Sequence, residues 1–301
     1  MAPLSKWIDG LAVDGNVSDA ARKSLEARLA TVAYWLPLAA RPVDGDLERI
    51  HQLRVATRRA VAALKLYRDW LPDGPRRWII KRLKKIRQAA GDARDLDVLT
   101  ARLRRGDGDR TTEVVALLAD QRASLQPPIL AIADRCHEDD RLHQKTYKLI
   151  ERIGPQDAAA ANHDPNFRIW ASVRLHDVAE KFFAAEPGEG ADWLALHQFR
   201  IVGKKLRYTM ELLAPAFGSE LRDSFYPIVQ ELQEKLGKIN DFVVAREILQ
   251  KLSEKNGSSA AKDQLNELIG EQETSRDRAI ADFRAWWTAD RAAALRADLI
   301  G

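Results

Sequence analysis

The sequence contains one sixteen-residue pattern twice, and this repetition decides the fold. HQLRVATRRAVAALKL occupies residues 51–66, and HQFRIVGKKLRYTMEL occupies residues 197–212, which lie 146 positions later. GDARDLDVL at 91–99 and GKINDFVVA at 237–245 are separated by the same 146 positions. Because one ungapped offset relates both pairs, the sequence predicts the duplication of a unit of 146 residues.

The duplicated unit has the sequence pattern of helices. Apolar residues recur at steps of three and four, and the good helix formers Ala, Leu, Arg, Glu, Lys and Gln dominate. The sequence lacks the sustained alternation of apolar and polar residues that is typical of strands. These features predict an all-α fold with helices at residues 18–36, 46–71, 75–105, 110–137, 139–153, 165–185, 190–214, 219–253 and 258–298.

The repeat and the helices together predict the architecture. About four helices fall in each unit, and four-helix bundles are a common way to bury helices of this length. We therefore expect two pseudo-symmetric four-helix bundles within a single domain of residues 1–301. The first repeat is expected to span residues 1–155 and the second 156–301. Pro127 and Pro128 are expected to break or kink the fourth helix.

The composition excludes several classes of protein. Hydrophobic residues make up 46% of the 301 residues, enough to bury a core, which excludes a disordered polyelectrolyte. Cys136 is the only cysteine, so neither an intrachain disulfide nor a thiolate metal cluster can form. No apolar run approaches the roughly 18 residues of a membrane helix, and the start of the chain does not resemble a signal peptide. We therefore expect a cytoplasmic protein.

Both copies of the repeated pattern place cations along one helix face. With residues 100° apart, the opposite face is apolar in each copy. The cationic face of the first copy contains His51, Arg54, Arg58, Arg59 and Lys65. The cationic face of the second copy contains His197, Arg200, Lys204, Lys205 and Arg207. The next helix of the first copy adds a compact basic sector, formed by Arg77, Lys81, Lys84 and Lys85.

The charge of these segments is unbalanced. Residues 51–105 carry 16 Lys and Arg against 5 Asp and Glu, and residues 197–251 carry 9 against 7. The first cationic face has no acid between His51 and Asp69. Like charges one turn apart repel each other, whereas a face that serves only solubility normally mixes both signs. The pattern therefore favours a face that binds an anionic ligand, which would offset the repulsion, over a face that only contacts solvent.

Two histidines, His51 and His197, begin the two cationic faces. Imidazole titrates near pH 6.5, and a bound phosphate would favour its charged form. We therefore expect the affinity for a phosphate ligand to rise from pH 8 to pH 6. The alternative, a metal held by the two histidines, lacks carboxylates or cysteines at ligand spacing. We predict no metal and no cofactor.

At these residues the sequence resembles the CHAD family, the conserved histidine α-helical domains. The resemblance lies in the two sixteen-residue copies and in the two segments that begin at Gly91 and Gly237. It implies two four-helix bundles and the binding of inorganic polyphosphate in a basic central groove or pore. The motif carries the binding role over to His51, Arg54, Arg58, Arg59, His197, Arg200, Lys204, Lys205 and Arg207.

The first copy departs from the family pattern at one position. The family has a base ten residues after the histidine, where Arg207 fits but Val61 stands in the first copy. Residues that we expect to compensate are Lys65, Lys81, Lys84 and Lys85. Asp95 and Asp241, which follow the two glycines, either orient the arginines and lysines behind the ligand or are local caps and surface ion pairs.

Four functions fit a basic groove. The first is non-catalytic polyphosphate binding, because a phosphate chain needs rows of cationic donors and no stacking groups. RNA binding is the second, although single-strand binders normally add aromatic residues to the basic face. The third is an enzyme, which would need clustered carboxylates or a phosphate-gripping loop ending in Lys. A scaffold that docks acidic proteins or polyphosphate granules is the fourth. We predict the first and no catalysis.

Overall fold

The computed structural model describes residues 5–41, 48–105, 108–138, 140–156, 164–255 and 259–300. These residues form helices and no strand, apart from one isolated β-bridge between Asn16 and Asn166. The α-helices span Val17–Ala40 (α1), Glu48–Leu66 (α2), Asp73–Leu103 (α3), Gly108–Ser124 (α4), Gln126–Glu138 (α5), Arg141–Glu151 (α6), Phe167–Phe183 (α7), Trp193–Leu213 (α8), Tyr226–Lys255 (α9), Ser259–Trp286 (α10) and Ala289–Ile300 (α11). Short 3₁₀ turns follow α2 and α8, and a π turn precedes α9. The all-α prediction is confirmed.

Two predicted helices are each interrupted once. The helix expected at 110–137 ends at Ser124 and restarts at Gln126. Pro127 and Pro128 therefore lie in the first turn of α5, where a missing N–H breaks no intrahelical hydrogen bond. The helix expected at 258–298 ends at Trp286 and restarts at Ala289, where the Thr288 hydroxyl caps the new helix by accepting from the Arg291 N–H at 3.3 Å.

The first helices of the two halves begin side by side. The Asn16 side chain caps α1 by accepting from the Asp19 N–H at 2.7 Å, and the Asn166 side chain caps α7 in the same way. The Phe167 N–H donates to the Gly15 carbonyl at 2.8 Å, and the Val17 N–H donates to the Pro165 carbonyl at 3.2 Å. These reciprocal bonds tie the two helix starts together.

Helices of the two halves contact each other in matching pairs. In the first half α2 packs between α1 and α3, and in the second half α8 packs between α7 and α9. Across the halves α1 contacts α7, α2 contacts α8, and α3 contacts α9. A pseudo-twofold axis would produce this pattern, and the duplication itself stays a prediction from the sequence.

The two predicted repeats share one hydrophobic core. Its main cluster of buried apolar residues extends from Ile8 in the first repeat to Leu295 in the second. A smaller cluster fills the space between the distal parts of α3, α4, α9 and α10. The division between residues 155 and 156 stays a prediction, and residues 157–163 beside it lie outside the described residues.

A close helix crossing explains one interior glycine. A Cβ atom at Gly203 in α8 would collide with Nε2 of Gln233 and lie 3.3 Å from the Leu232 side chain, both in α9. Gly203 therefore lets α9 approach α8 at the level of the cationic residues. None of the described helices is both long enough and apolar enough to cross a bilayer.

Candidate functional site

The two motif helices, α2 and α8, line one cleft together with α3 and α7. Its volume is about 1240 Å³. Six of the fourteen predicted binding residues line it: Arg54, Arg58, Lys65, Lys84, Lys204 and Lys205. The structure therefore brings cations from both copies of the motif to a common space, although the two copies are 146 positions apart in the chain.

The lining of the cleft is strongly cationic. Three carboxylates, those of Asp69, Asp92 and Asp177, face eleven cationic side chains. The eleven are Arg54, Arg58, Lys65, Arg68, Arg76, Lys84, Arg87, Arg174, Lys181, Lys204 and Lys205. With every Lys and Arg counted as charged, the formal charge of the described lining is therefore +8, from eleven basic side chains less three carboxylates. Such an excess in a concave site attracts anions and concentrates them there.

The carboxylates neutralise only part of the cleft. Asp69 accepts from Arg68 at 3.1 Å and from Arg174 at 3.2 Å, and Asp177 lies 3.6 Å from Arg174. Within the part of the chain that the structure describes, no carboxylate lies at ion-pair distance from Arg58 or Lys204. These two cations remain available to a ligand.

Arg54 is held in place by its surroundings. Its guanidinium lies 3.8 Å from the Asp95 carboxylate, and its Nη1 atom would lie 2.8 Å from a Cβ atom at Gly91. Burial and the neighbouring Arg58 charge lower the pKa of Arg54 to about 10. Burial raises the pKa of Asp95, against the opposing effect of Arg54. Gly91 and Asp95 thus shape the position of Arg54 in the cleft.

Lys204 lies where cations of both motif helices converge. Burial, together with the charges of Arg200 and Arg58, lowers the pKa of the Lys204 amine to about 6. Burial raises the pKa of Asp241, and the Arg200 charge opposes that rise. The Nε atom of Arg200 is buried and, within the described part of the chain, has no hydrogen-bond partner. A dianionic group placed here would relieve the repulsion and favour the protonated amine.

The two histidines lie beside these cations but outside the lining of the cleft. Burial, with the Arg94 charge, lowers the pKa of His51, and burial with the Arg200 charge lowers the pKa of His197. Both imidazoles therefore titrate below their ordinary range in the free protein, and the expectation that they charge on binding between pH 8 and pH 6 stays a prediction. No metal-binding group of three or more His, Cys, Asp or Glu occurs in the described residues.

Arg59 and Arg207 belong to a buried ion network instead of the cleft lining. The Arg59 guanidinium donates to both carboxylate oxygens of Glu211, at 2.7 and 3.2 Å. The Arg207 guanidinium and the Tyr226 hydroxyl also donate to Glu211, at 3.4 and 2.8 Å. Glu211 is 0% exposed. The single Glu211 carboxylate therefore offsets part of the charge of these two arginines, which the sequence pattern assigned to a ligand.

Three predicted residues of α3 lie outside the lining of the cleft. Arg77, Lys81 and Lys85 have exposed side chains, and Arg77 pairs with Asp73 at 3.2 Å. Lys84, on the same helix, does line the cleft. A helical sector of about 100° is too broad to face one space, because neighbouring helices cover only part of it.

Five cations of the cleft are not among the predicted binding residues: Arg68, Arg76, Arg87, Arg174 and Lys181. Arg76 and Arg87 belong to the basic segment of α3. The sequence shows their charge, but it does not show that their side chains extend towards the cleft. Arg174 and Lys181 are seven residues apart on α7 and therefore share a helix face. Nothing in the sequence links that face to the motif helices, because α7 approaches them only in the folded chain.

Comparisons with known proteins agree with this architecture. The family model described as "CHAD domain" matches residues 23–250. A crystal structure of the CHAD domain from the plant Ricinus communis is similar with a TM-score of 0.69 and 26% identity, covering 99% of this chain and 96% of that chain. PptA from Streptomyces chartreusis has the same fold, with a TM-score of 0.62, 19% identity and coverage of 91% and 99%. No curated protein gave a significant match.

Proposed function

Because this chain belongs to the CHAD family, which is generally associated with polyphosphate, we propose that it binds inorganic polyphosphate in the cationic cleft without catalysing a reaction on it. The observation that carries this proposal is the convergence of unpaired cations from both motif helices on one cleft. Binding of this kind would also bring the protein to polyphosphate granules.

The chemistry of the cleft suits a phosphate chain. Polyphosphate presents oxygen acceptors along its whole length and has no bases to stack. Guanidinium groups donate paired hydrogen bonds to such oxygens, and ammonium groups act as point charges. Several linked contacts with one chain raise the overall affinity beyond that of any single contact. A cleft with cations on four helices provides these contacts without an aromatic platform.

Removing two cleft cations tests the proposal. We expect Arg54→Ala with Arg58→Ala to weaken polyphosphate binding at least tenfold, because one charge-assisted hydrogen bond contributes about 1.5–3 kcal/mol. Titration of a medium-length polyphosphate by calorimetry measures the affinity, and circular dichroism measures the helical content, which should not change.

The matched control removes the same charge outside the cleft. Lys81→Ala with Lys85→Ala changes two exposed cations of α3 and should weaken binding less than threefold at the same salt concentration. An equal loss in both double variants would reduce the interaction to general cationic attraction. Release of inorganic phosphate from polyphosphate in the presence of Mg²⁺ or Mn²⁺ would contradict the absence of catalysis.

A further inference from the structure

Tyr208 is a buried residue in the wall of the cationic cleft. Its relative exposure is 6%, and the aromatic ring borders the same space as Arg58 and Lys204. The hydroxyl oxygen is buried and has no hydrogen-bond partner among the residues that the structure describes. A buried hydroxyl without a partner is unusual, because the loss of its hydrogen bond to water is not compensated. A ligand in the cleft would supply the missing partner.

The orientation of Tyr208 is set by the buried network beside it. The Arg207 guanidinium lies 4.7 Å from the centroid of the Tyr208 ring, in a cation–π contact. Glu211 holds that guanidinium, and Glu211 is itself held by Arg59 and Tyr226. The aromatic ring is therefore packed against a fixed group. Such a side chain presents its hydroxyl with little loss of conformational entropy on binding.

The surroundings of the Tyr208 hydroxyl select a particular ligand chemistry. Both Arg87 and Arg200 lie close enough to Tyr208 to interact with it electrostatically. A group bound in the cleft near Arg87 and the hydroxyl is therefore favoured if it is an anion that accepts several hydrogen bonds at once. A tetrahedral phosphate has oxygen acceptors in several directions and meets this requirement.

We propose that the Tyr208 hydroxyl donates a hydrogen bond to a phosphate oxygen of the chain bound in the cleft, and that Arg207 is the positioning residue for Tyr208. This inference rests on the proposed function and assigns the contact within it. It gives Arg207 a role different from the ligand contact that the sequence pattern suggested. Tyr208 thereby becomes an uncharged donor among cationic ones.

Tyr208→Phe tests the contact, because phenylalanine keeps the ring against Arg207 and removes only the hydroxyl. We expect the affinity for polyphosphate to fall about five- to tenfold. The slope of log Kd against log salt should not change, since an uncharged donor displaces no counterion. Arg58→Ala should lower both the affinity and the slope. Tyr34→Phe, on an exposed tyrosine of α1, is the matched control and should change neither.

The outcomes separate this inference from the proposed function. Wild-type protein without measurable polyphosphate binding would overturn both. If the wild type binds and Tyr208→Phe binds equally well, the tyrosine contact alone is overturned. The same holds if the salt slope of Tyr208→Phe falls as much as that of Arg58→Ala.

A crystal of the wild-type complex adds a measurement that needs no variant. A phosphate oxygen within about 3 Å of the hydroxyl supports the contact, and none within about 3.5 Å refutes it.

A double-mutant cycle tests the positioning role of Arg207. Arg207→Gln should weaken binding in the wild-type background and add little in the Tyr208→Phe background, because both variants then disturb the same contact. A purely structural role would lower affinity equally in both backgrounds. Equal losses would therefore overturn the positioning role of Arg207.

Discussion

A single carboxylate, that of Glu211, separates two kinds of motif cation. Arg59 and Arg207 donate to it in the protein interior, whereas Arg58 and Lys204 face the cleft. In the first copy the position equivalent to Glu211, 146 residues earlier, is Lys65, which lines the cleft. The two copies of the motif therefore differ at this position, where the first places a cation in the cleft and the second places a carboxylate in the buried network.

Glu211→Gln tests the structural part of this difference. The substitution leaves the shape nearly unchanged but removes the charge that two arginines share. We expect the free energy of unfolding to fall by about 3 kcal/mol, which is typical of breaking a buried ion pair from one side. Urea unfolding followed by circular dichroism measures it. Glu189→Gln, at an exposed position, should change it by less than 0.5 kcal/mol, which is roughly the usual effect of a surface substitution.

Lys204 predicts a coupling between binding and protons. Its pKa of about 6 leaves the amine mostly neutral at pH 7.5 in the free protein. A bound phosphate favours the ammonium form, so binding should take up a proton and the affinity should rise as the pH falls from 8 towards 6. Calorimetry in two buffers of different ionisation enthalpy measures this uptake at pH 7.5.

Lys204→Arg is the control for this coupling. Arginine remains charged at every pH in the range, so the proton uptake should fall towards the contribution of the ligand alone. Lys204 interacts electrostatically with the charged or titratable side chains of Arg54, Arg58, His197, Arg200, Arg207 and Asp241. An unchanged uptake in Lys204→Arg would assign the proton to His197 or Asp241, because arginine is already charged throughout this pH range.

At the scale of single helices, two equivalent glycines have different surroundings. A Cβ atom at Gly91 in α3 would lie 2.8 Å from the Arg54 guanidinium, whereas one at Gly237 in α9 would meet nothing within 4 Å. The offset of 146 residues relates these positions. The first glycine therefore makes room for a cleft cation, and the second does not.

These glycines give a matched pair of substitutions. Gly237→Ala should raise the free energy of unfolding by up to about 1 kcal/mol, the usual gain in a helix interior, and leave polyphosphate affinity unchanged. Gly91→Ala should lower the affinity at least threefold, because the new methyl group displaces the Arg54 guanidinium. Thermal unfolding and polyphosphate titration measure both effects. Equal affinities of the two variants would contradict the role of Gly91.

The helices themselves were largely predictable. Apolar residues at steps of three and four placed nearly every helix, since that spacing reflects contacts within a few residues. The break at Ser124 was also expected, because Pro127 and Pro128 cannot lie inside a regular helix. The break after Trp286 was not predicted, although Thr288, which caps the next helix, is a residue type that favours helix N-termini.

At the scale of the whole molecule, the net charge of the cleft governs salt dependence and selectivity. By analogy with nucleic-acid binding, log Kd should rise linearly with log salt, and each removed cleft cation should reduce the slope by about one unit. Polyphosphate should displace RNA at a far lower concentration than RNA displaces polyphosphate, because the cleft donates to phosphates and offers few aromatic surfaces. Fluorescence polarisation with labelled RNA measures both. Displacement in the reverse order would favour a nucleic-acid binder.

The sequence by itself determined the all-α fold, the repeated motif and the family, because helical periodicity and motif spacing are local properties of the chain. It also identified six cations of the cleft. Only the tertiary structure decided which cations remain free. Glu211 neutralises Arg59 across 152 residues of sequence, and α7 brings Arg174 into the cleft. Such pairings depend on where helices cross, and a helical period specifies a face but not the partner that this face meets.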